Sequence, residues 1–310
     1  VSPLWRLVVV LGLTALLSAC AGRPVITDQH QLQDIPRDVL LTAVPFHPQD
    51  EYQCGPAALA MVLNHQGLAD TPDSLVERVY IPERQGSLQV EMVAAARERD
   101  LLAYPLDGKI ESVLREVAAG NPVLVMQNLA LNWYPQWHYA VVIGYDLDQQ
   151  VMILHSGLNA DQREPFRLFN KTWTRADNWA QVMLPPDQLP ATAEPLPYLT
   201  AASELEETGR LRSARTAYER ALKQWPDQPA ARFGLGNVAW AQGQREEAAR
   251  HFLQLTREHP KVSVGWNNLA VTLEALGCTA SAKQARNCGT GQPDCPSTFH
   301  ESLHEQCQLH

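Results

Sequence analysis

The chain has 310 residues, a formal net charge of -9, 45% hydrophobic and 19% charged residues. That length accommodates two domains, and that composition is of a folded chain rather than a disordered one. No Lys/Arg run offsets the acidic balance, which argues against nucleic acid as a partner and against electrostatic docking on anionic lipid.

At the N-terminus, Arg6 precedes an apolar run from Leu7 to Leu17 and then small residues. The run is short for a bilayer span and has the anatomy of an export signal, assigned to residues 1–20. Its ending, Leu17-Ser18-Ala19-Cys20, resembles the lipobox of bacterial lipoproteins. That resemblance implies diacylglycerol on Cys20, a membrane contact through that lipid, and, with Ala21 following, transfer to the outer membrane facing the periplasm of a Gram-negative cell. No other stretch is apolar enough to cross a membrane. Residues 21–40 are polar and patternless and read as a tether.

Residues 41–185 read as an α+β domain, helices first and an antiparallel-looking sheet afterwards. The segment GPAALAMVLNHQG has a helical period, with Pro56 in its first turn and Gly67 as its stop. Three further helical patterns follow: DTPDSLVERVY, capped by Thr71, then SLQVEMVAAARERD and KIESVLREVAAGNP. The short Val/Ile-rich runs PVLVMQN, HYAVVIGYD, QVMILHS and WAQVML then read as strands. Five prolines within LPPDQLPATAEPLP mark a stiff linker, assigned to residues 186–197.

Beyond it a 34-residue period appears. Ala214, Tyr218, Ala221 and Pro226 recur as Ala248, Phe252, Leu255 and Pro260. This is similar to the tetratricopeptide repeat, about three units over residues 198–288, and implies an all-α array that docks a protein partner. Small residues such as Gly236 let paired helices approach closely, and no unit can bury its apolar face alone. GLGNVA lies inside a repeat helix and follows no strand, so it is not a nucleotide-binding loop. With no P-loop either, no cofactor is expected.

The last segment, 289–310, is rich in Cys and His. If Cys20 carries lipid, five cysteines remain. Cys278, Cys288, Cys295 and Cys307 crowd into the last 33 residues, an even cluster that predicts two disulfides in an oxidising compartment with three pairings open. A competing zinc site would use His300, His304 and Cys307 on one helical face, but no metal is assigned.

Cys54 is left over, an odd thiol at a helix start. Its sulfur lies beside the first free backbone N–H groups, so the helix field should lower its pKa. A thiolate nucleophile needs a base and an oxyanion donor. His138, opening a strand, is the base candidate. His65 lies at the far end of the Cys54 helix, roughly 16 Å away at the usual rise, and His47 is read as loop surface.

VPFHPQDEYQCGPAALAMVL, HYAVVIGYD and VMILHSG together resemble the papain-like, bacteriocin-processing (C39-like) cysteine peptidases. The resemblance implies a papain-like fold, Cys54 as nucleophile, His138 as base and a glutamine as oxyanion donor. Gln49 takes that role, with Gln53 in reserve; the family spacing is usually one residue longer than Gln49 to Cys54, which leaves the choice open. The family's third member is an acid of an Asp-Pro pair after the base. Here the position reads His155-Ser156, so His155 or Asn159 stands in, with Asp146 a further candidate in a hairpin turn. The implied function is a membrane-anchored peptidase cleaving a protein or peptide in the periplasm. A silent peptide-binding adaptor and a thiol-dependent acyltransferase or amidase are the alternatives.

Overall fold

The computed structural model describes residues 25–26, 32–49, 53–290, 299 and 307. Cys20, the export signal, Cys295, His300 and His304 lie outside the described residues. Among the described residues no helix is long and apolar enough to cross a membrane.

The first domain is α+β, with a seven-stranded antiparallel sheet. Its elements are β1 (Asp38–Leu40), α1 (Cys54–His65), α2 (Pro72–Val79), the short hairpin β2 (Tyr80–Ile81) and β3 (Gly86–Ser87), and α3 (Gln89–Arg97). Then come β4 (Leu102–Pro105), α4 (Ile110–Ala118), β5 (Val123–Asn128), β6 (Trp137–Asp146), β7 (Val151–Ser156), β8 (Asn159–Pro165), α5 (Phe166–Thr174) and β9 (Ala180–Leu184). The strands lie in the order β4-β9-β5-β6-β7-β8, with β1 also paired to β6.

Alternation along β6 divides the core. Tyr139, Val141 and Ile143 face a cluster with α1, α2 and α3, whereas Ala140 and Val142 face the other side with α4 and α5. A bulge between Val142 and Gly144 then puts Tyr145 on the α4 and α5 side. A Cβ on Gly144 would lie 2.5 Å from the Val39 carbonyl oxygen, so only glycine lets β1 close against the bulge.

The expected tether at 21–40 is in part corrected. Ile26 and Leu32 are buried in the core, Arg115 pairs with Asp34, and Asp38–Leu40 forms β1. The apolar residues here are too few and too irregular to give a period, yet Ile26 and Leu32 enter the core.

Six helices follow: α6 (Pro195–Glu207), α7 (Leu211–Gln224), α8 (Pro229–Ala241), α9 (Arg245–Glu258), α10 (Ser263–Ala275) and α11 (Thr279–Gly289). They form three antiparallel pairs. Gly209, Gly243 and Gly277, one period apart, have φ of +77°, +78° and +82° and end the first helix of each pair in the left-handed region. Gly236 fits the close approach, since a Cβ there would meet the Phe252 ring at 2.4 Å.

Two described tail residues contact the last pair. Phe299 is buried against Trp266 at 5.4 Å, and Cys307 is disulfide-bonded to Cys278. Cys288 is disulfide-bonded as well. Since Cys307 is spent in a disulfide, the zinc alternative loses a ligand.

The proline-rich segment is not a free spacer. Buried Glu116 of α4 accepts from the Ala191 and Thr192 N–H groups and the Thr192 hydroxyl at 3.1, 2.7 and 2.6 Å, and from Asn121 at 2.7 Å. Tyr198, Ala202 and Leu205 of α6 join the core beneath β4. Glu116→Ala strands these donors and should lower the unfolding free energy by about 2–4 kcal/mol in urea titrations. A loss below about 1 kcal/mol would show that the clamp contributes little.

Candidate active site

Cys54 is the first residue of α1, and Pro56 in the first turn forfeits no helical hydrogen bond. Gly55 has a steric reason. A Cβ on it would lie 2.2 Å from the Ser87 hydroxyl, because β3 crosses directly over the first turn. Opposite, Cys54 packs against the cluster that holds Tyr139 of β6. The residue before Tyr139 is His138.

The thiol departs from the expected direction. Burial pushes the Cys54 pKa up, and the backbone N–H groups of Tyr139, Gly55 and Cys54 temper that without reversing it. The helix end does present its donors to the sulfur, but the lost hydration of a thiolate outweighs them. His138 is likewise pushed down to about 4 by burial. The pair is therefore neutral thiol and neutral imidazole near pH 7.

The third position also needs correction. His138 Nε2 lies 2.9 Å from the Ser156 hydroxyl, and Ser156 is buried. His155 points to the other face of β7, its Nε2 3.2 Å from the Val44 carbonyl oxygen, its Nδ1 accepting from the Asp161 N–H at 3.3 Å, and its ring edge-on to Phe46. Asn159 is exposed and donates to Gln162 at 3.4 Å. Successive strand residues face opposite ways, so a shift of one residue exchanges His155 for Ser156. Asp146 sits at the far end of β6, accepting from the Gln149 N–H and pairing with Arg163 at 3.2 Å. Among the described residues no carboxylate contacts His138.

Gln49 is buried at the same end of the sheet. Its backbone N–H donates to the Gly157 carbonyl at 3.1 Å and its Oε1 accepts from the Gly157 N–H at 3.2 Å. Its Nε2 makes only a long 3.5 Å contact with the Tyr139 carbonyl. Gln49, Cys54 and Ser156 thus gather around His138 and Tyr139. Gln53 stands at the N-cap of α1, and its side chain makes no capping bond. The other two histidines are anchored elsewhere, His47 to Asn64 at 2.7 Å and His65 to the Gly120 carbonyl at 3.1 Å.

Residues that sequence reasoning did not single out rim this end. The β5–β6 loop exposes Leu131, Trp133, Tyr134 and Trp137, and the β7–β8 turn exposes Leu158. An aromatic-rich loop directly before the candidate base was the available signal.

The architecture is that of a peptidase-like α+β domain followed by helical repeats, and the comparisons agree. Residues 41–181 match the Peptidase_C39 like family, and residues 199–263 and 235–282 match the tetratricopeptide repeat. A C39-like peptidase from Bacillus anthracis superposes with a TM-score of 0.40 and 22% identity, over 48% of this chain and 98% of that one. A double glycine motif protease from an AMS/PCAT transporter, in complex with the leader peptide, gives 0.36 and 22%, over 45% and 90%. The TPR repeat-containing protein PA0015 of Pseudomonas aeruginosa is 37% identical over 67 residues, 22% of this chain. The chain spans 64% of that relative's length.

Iodoacetamide should label Cys54 of the folded protein more slowly at pH 7 than it labels glutathione. The rate should climb only above about pH 9, since the raised pKa leaves little thiolate below it. Ser156→Asp, by placing a carboxylate on the imidazole, should favour the imidazolium–thiolate pair and raise the neutral-pH rate about tenfold. Fast wild-type labelling with an inflection below pH 7 would contradict the neutral pair.

Proposed function

We propose that this chain is a cysteine peptidase that hydrolyses a peptide bond in a protein or peptide of the periplasm, with its repeats holding substrate or a partner protein. In this reading the lipid on Cys20 fixes it to the outer membrane. The observation that carries the enzymatic part is the packing of Cys54, at the start of α1, against the cluster that holds Tyr139, the residue that follows His138. The export signal supports the location, as do the Cys278–Cys307 disulfide and disulfide-bonded Cys288, since such bonds persist in oxidising compartments.

The chemistry runs by general-base catalysis from a neutral pair. His138 carries its proton on Nε2, donated to the Ser156 hydroxyl, which leaves the Nδ1 lone pair for the thiol. As the sulfur adds to the substrate carbonyl, its proton passes to Nδ1. The Cys54 backbone N–H and Gln49 Nε2 hold the oxygen anion, the latter giving up only its long contact with the Tyr139 carbonyl. The tetrahedral adduct collapses to a thioester as the C–N bond breaks and imidazolium protonates the leaving amine. Water, deprotonated by Nδ1, then attacks the thioester and the thiol regains a proton.

Two observations favour a second reading, an adaptor that binds extended peptides without cutting them. Ser156 brings no charge to stabilise the imidazolium, and burial disfavours the thiolate. A thiol-dependent acyl transfer or amide hydrolysis would share the thioester step.

Terminal profiling of periplasmic peptides separates these readings. New termini should appear with the wild-type chain, vanish with Cys54→Ala, and fall at least about a hundredfold with Gln49→Ala. His138→Ala should cost about a thousandfold or more. Identical profiles for wild type and Cys54→Ala would remove the peptidase reading and leave the adaptor.

A further inference from the structure

The β5–β6 loop, residues 129–136, carries no charged side chain. Buried Asn128 holds its two ends, its Oδ1 accepting from the Ala130 and Gln136 N–H groups at 3.1 and 3.0 Å. Leu131 and Tyr134 pair across the tip, and Arg175 donates to the Ala130 carbonyl. On this fixed frame Trp133 is 81%, Tyr134 71% and Trp137 51% exposed. Side chains on an ordered backbone give up little further freedom on binding. Trp and Tyr are also the residues that most often carry binding energy at interfaces.

Trp137 ties this surface to the candidate centre. It opens β6, pairs with Asn128 and directly precedes His138. Alternation gives it the same strand face as Tyr139, whose cluster Cys54 packs against. A base that serves a cysteine nucleophile also hands its proton to the leaving amine, so it stands beside that nitrogen. The chain that departs with the amine therefore runs past the residues flanking His138. Of the two, Tyr139 is buried and Trp137 is open to solvent. Trp133 and Tyr134, their ring centroids 6.2 Å apart, extend the apolar surface along the loop.

We infer that Trp137 and the Leu131–Tyr134 tip form an apolar subsite that selects a bulky apolar side chain just after the bond presented to Cys54. Without a charge in the loop, the subsite discriminates by apolar and aromatic contact. Such a surface also suits a bilayer interface, but a bilayer seated on Trp137 would lie against His138 and close the centre to any polypeptide. The placement after the cut bond rests on the peptidase reading; the binding of an apolar side chain does not.

The test keeps the two apart. Full-length Cys54→Ala protein is titrated with the tripeptide amides Phe-Ala-Ala and Ser-Ala-Ala, which mimic the departing amine. Binding is followed by the indole N–H signals of Trp133 and Trp137, assigned with Trp133→Phe and Trp137→Phe. The Phe peptide should shift both signals and bind about tenfold or more tightly than the Ser peptide. Trp137→Ala should abolish that preference, Val264→Arg on an exposed site of α10 should keep it, and thermal melts confirm that each variant folds. No shift, equal binding of the two peptides, an unchanged preference in Trp137→Ala, or a response to phosphatidylcholine vesicles alone would overturn the subsite. Wild-type protein is then given a mixed peptide library and the new N-termini are sequenced. Large apolar residues should lead them, and Trp137→Ala should flatten the bias. Cleavage without that bias would overturn the placement, whereas selective binding without any cleavage would remove the peptidase reading and leave the subsite.

Discussion

The first turn of α1 is pressed against the start of β6, and this contact governs the rest of the site. Tyr139 is its centre. Cys54 packs against the cluster that holds it, its hydroxyl holds β3 through Ser87, and its ring packs on Trp179. Gly55 is small because β3 crosses the helix end within van der Waals distance. The same closeness limits water around the sulfur and the imidazole, both only partly buried, and so favours their neutral forms.

A neutral pair changes what the surroundings must supply. A site that begins as thiolate and imidazolium needs a charge behind the ring, whereas one that begins neutral needs the correct tautomer. Ser156 is suited to the second task, since a hydroxyl can accept Nε2–H and orient the ring. In the proposed peptidase it would lend little to the imidazolium formed during reaction, and turnover would be slow.

Much of this was legible in the residues. Cys54 before Gly-Pro, His138 opening a strand, and the 34-residue period of the repeats follow from helix-start chemistry, strand composition and self-similarity. The choice between His155 and Ser156 was not legible, because it turns on the phase of β7 and a bulge beside it. Nor was the direction of the thiol's pKa, where the helix field is local and readable but burial by β3 and β6 is assembled from distant segments. The role of residues 26–40 was hidden for a similar reason. Isolated apolar residues carry no period, and β1 exists only because Gly144 makes room for it. The Glu116 clamp likewise joins residues about 75 apart in the chain.

The most direct measurement is the protonation state and tautomer of the His138 ring, followed by nitrogen chemical shifts across a pH titration of the full chain. The account predicts a neutral ring protonated on Nε2 through pH 5, charging only near pH 4, and unchanged at neutral pH when Cys54 is replaced by alanine. A ring still charged at pH 7 that loses its charge in the Cys54→Ala protein would contradict it, since that is the behaviour of a preformed ion pair.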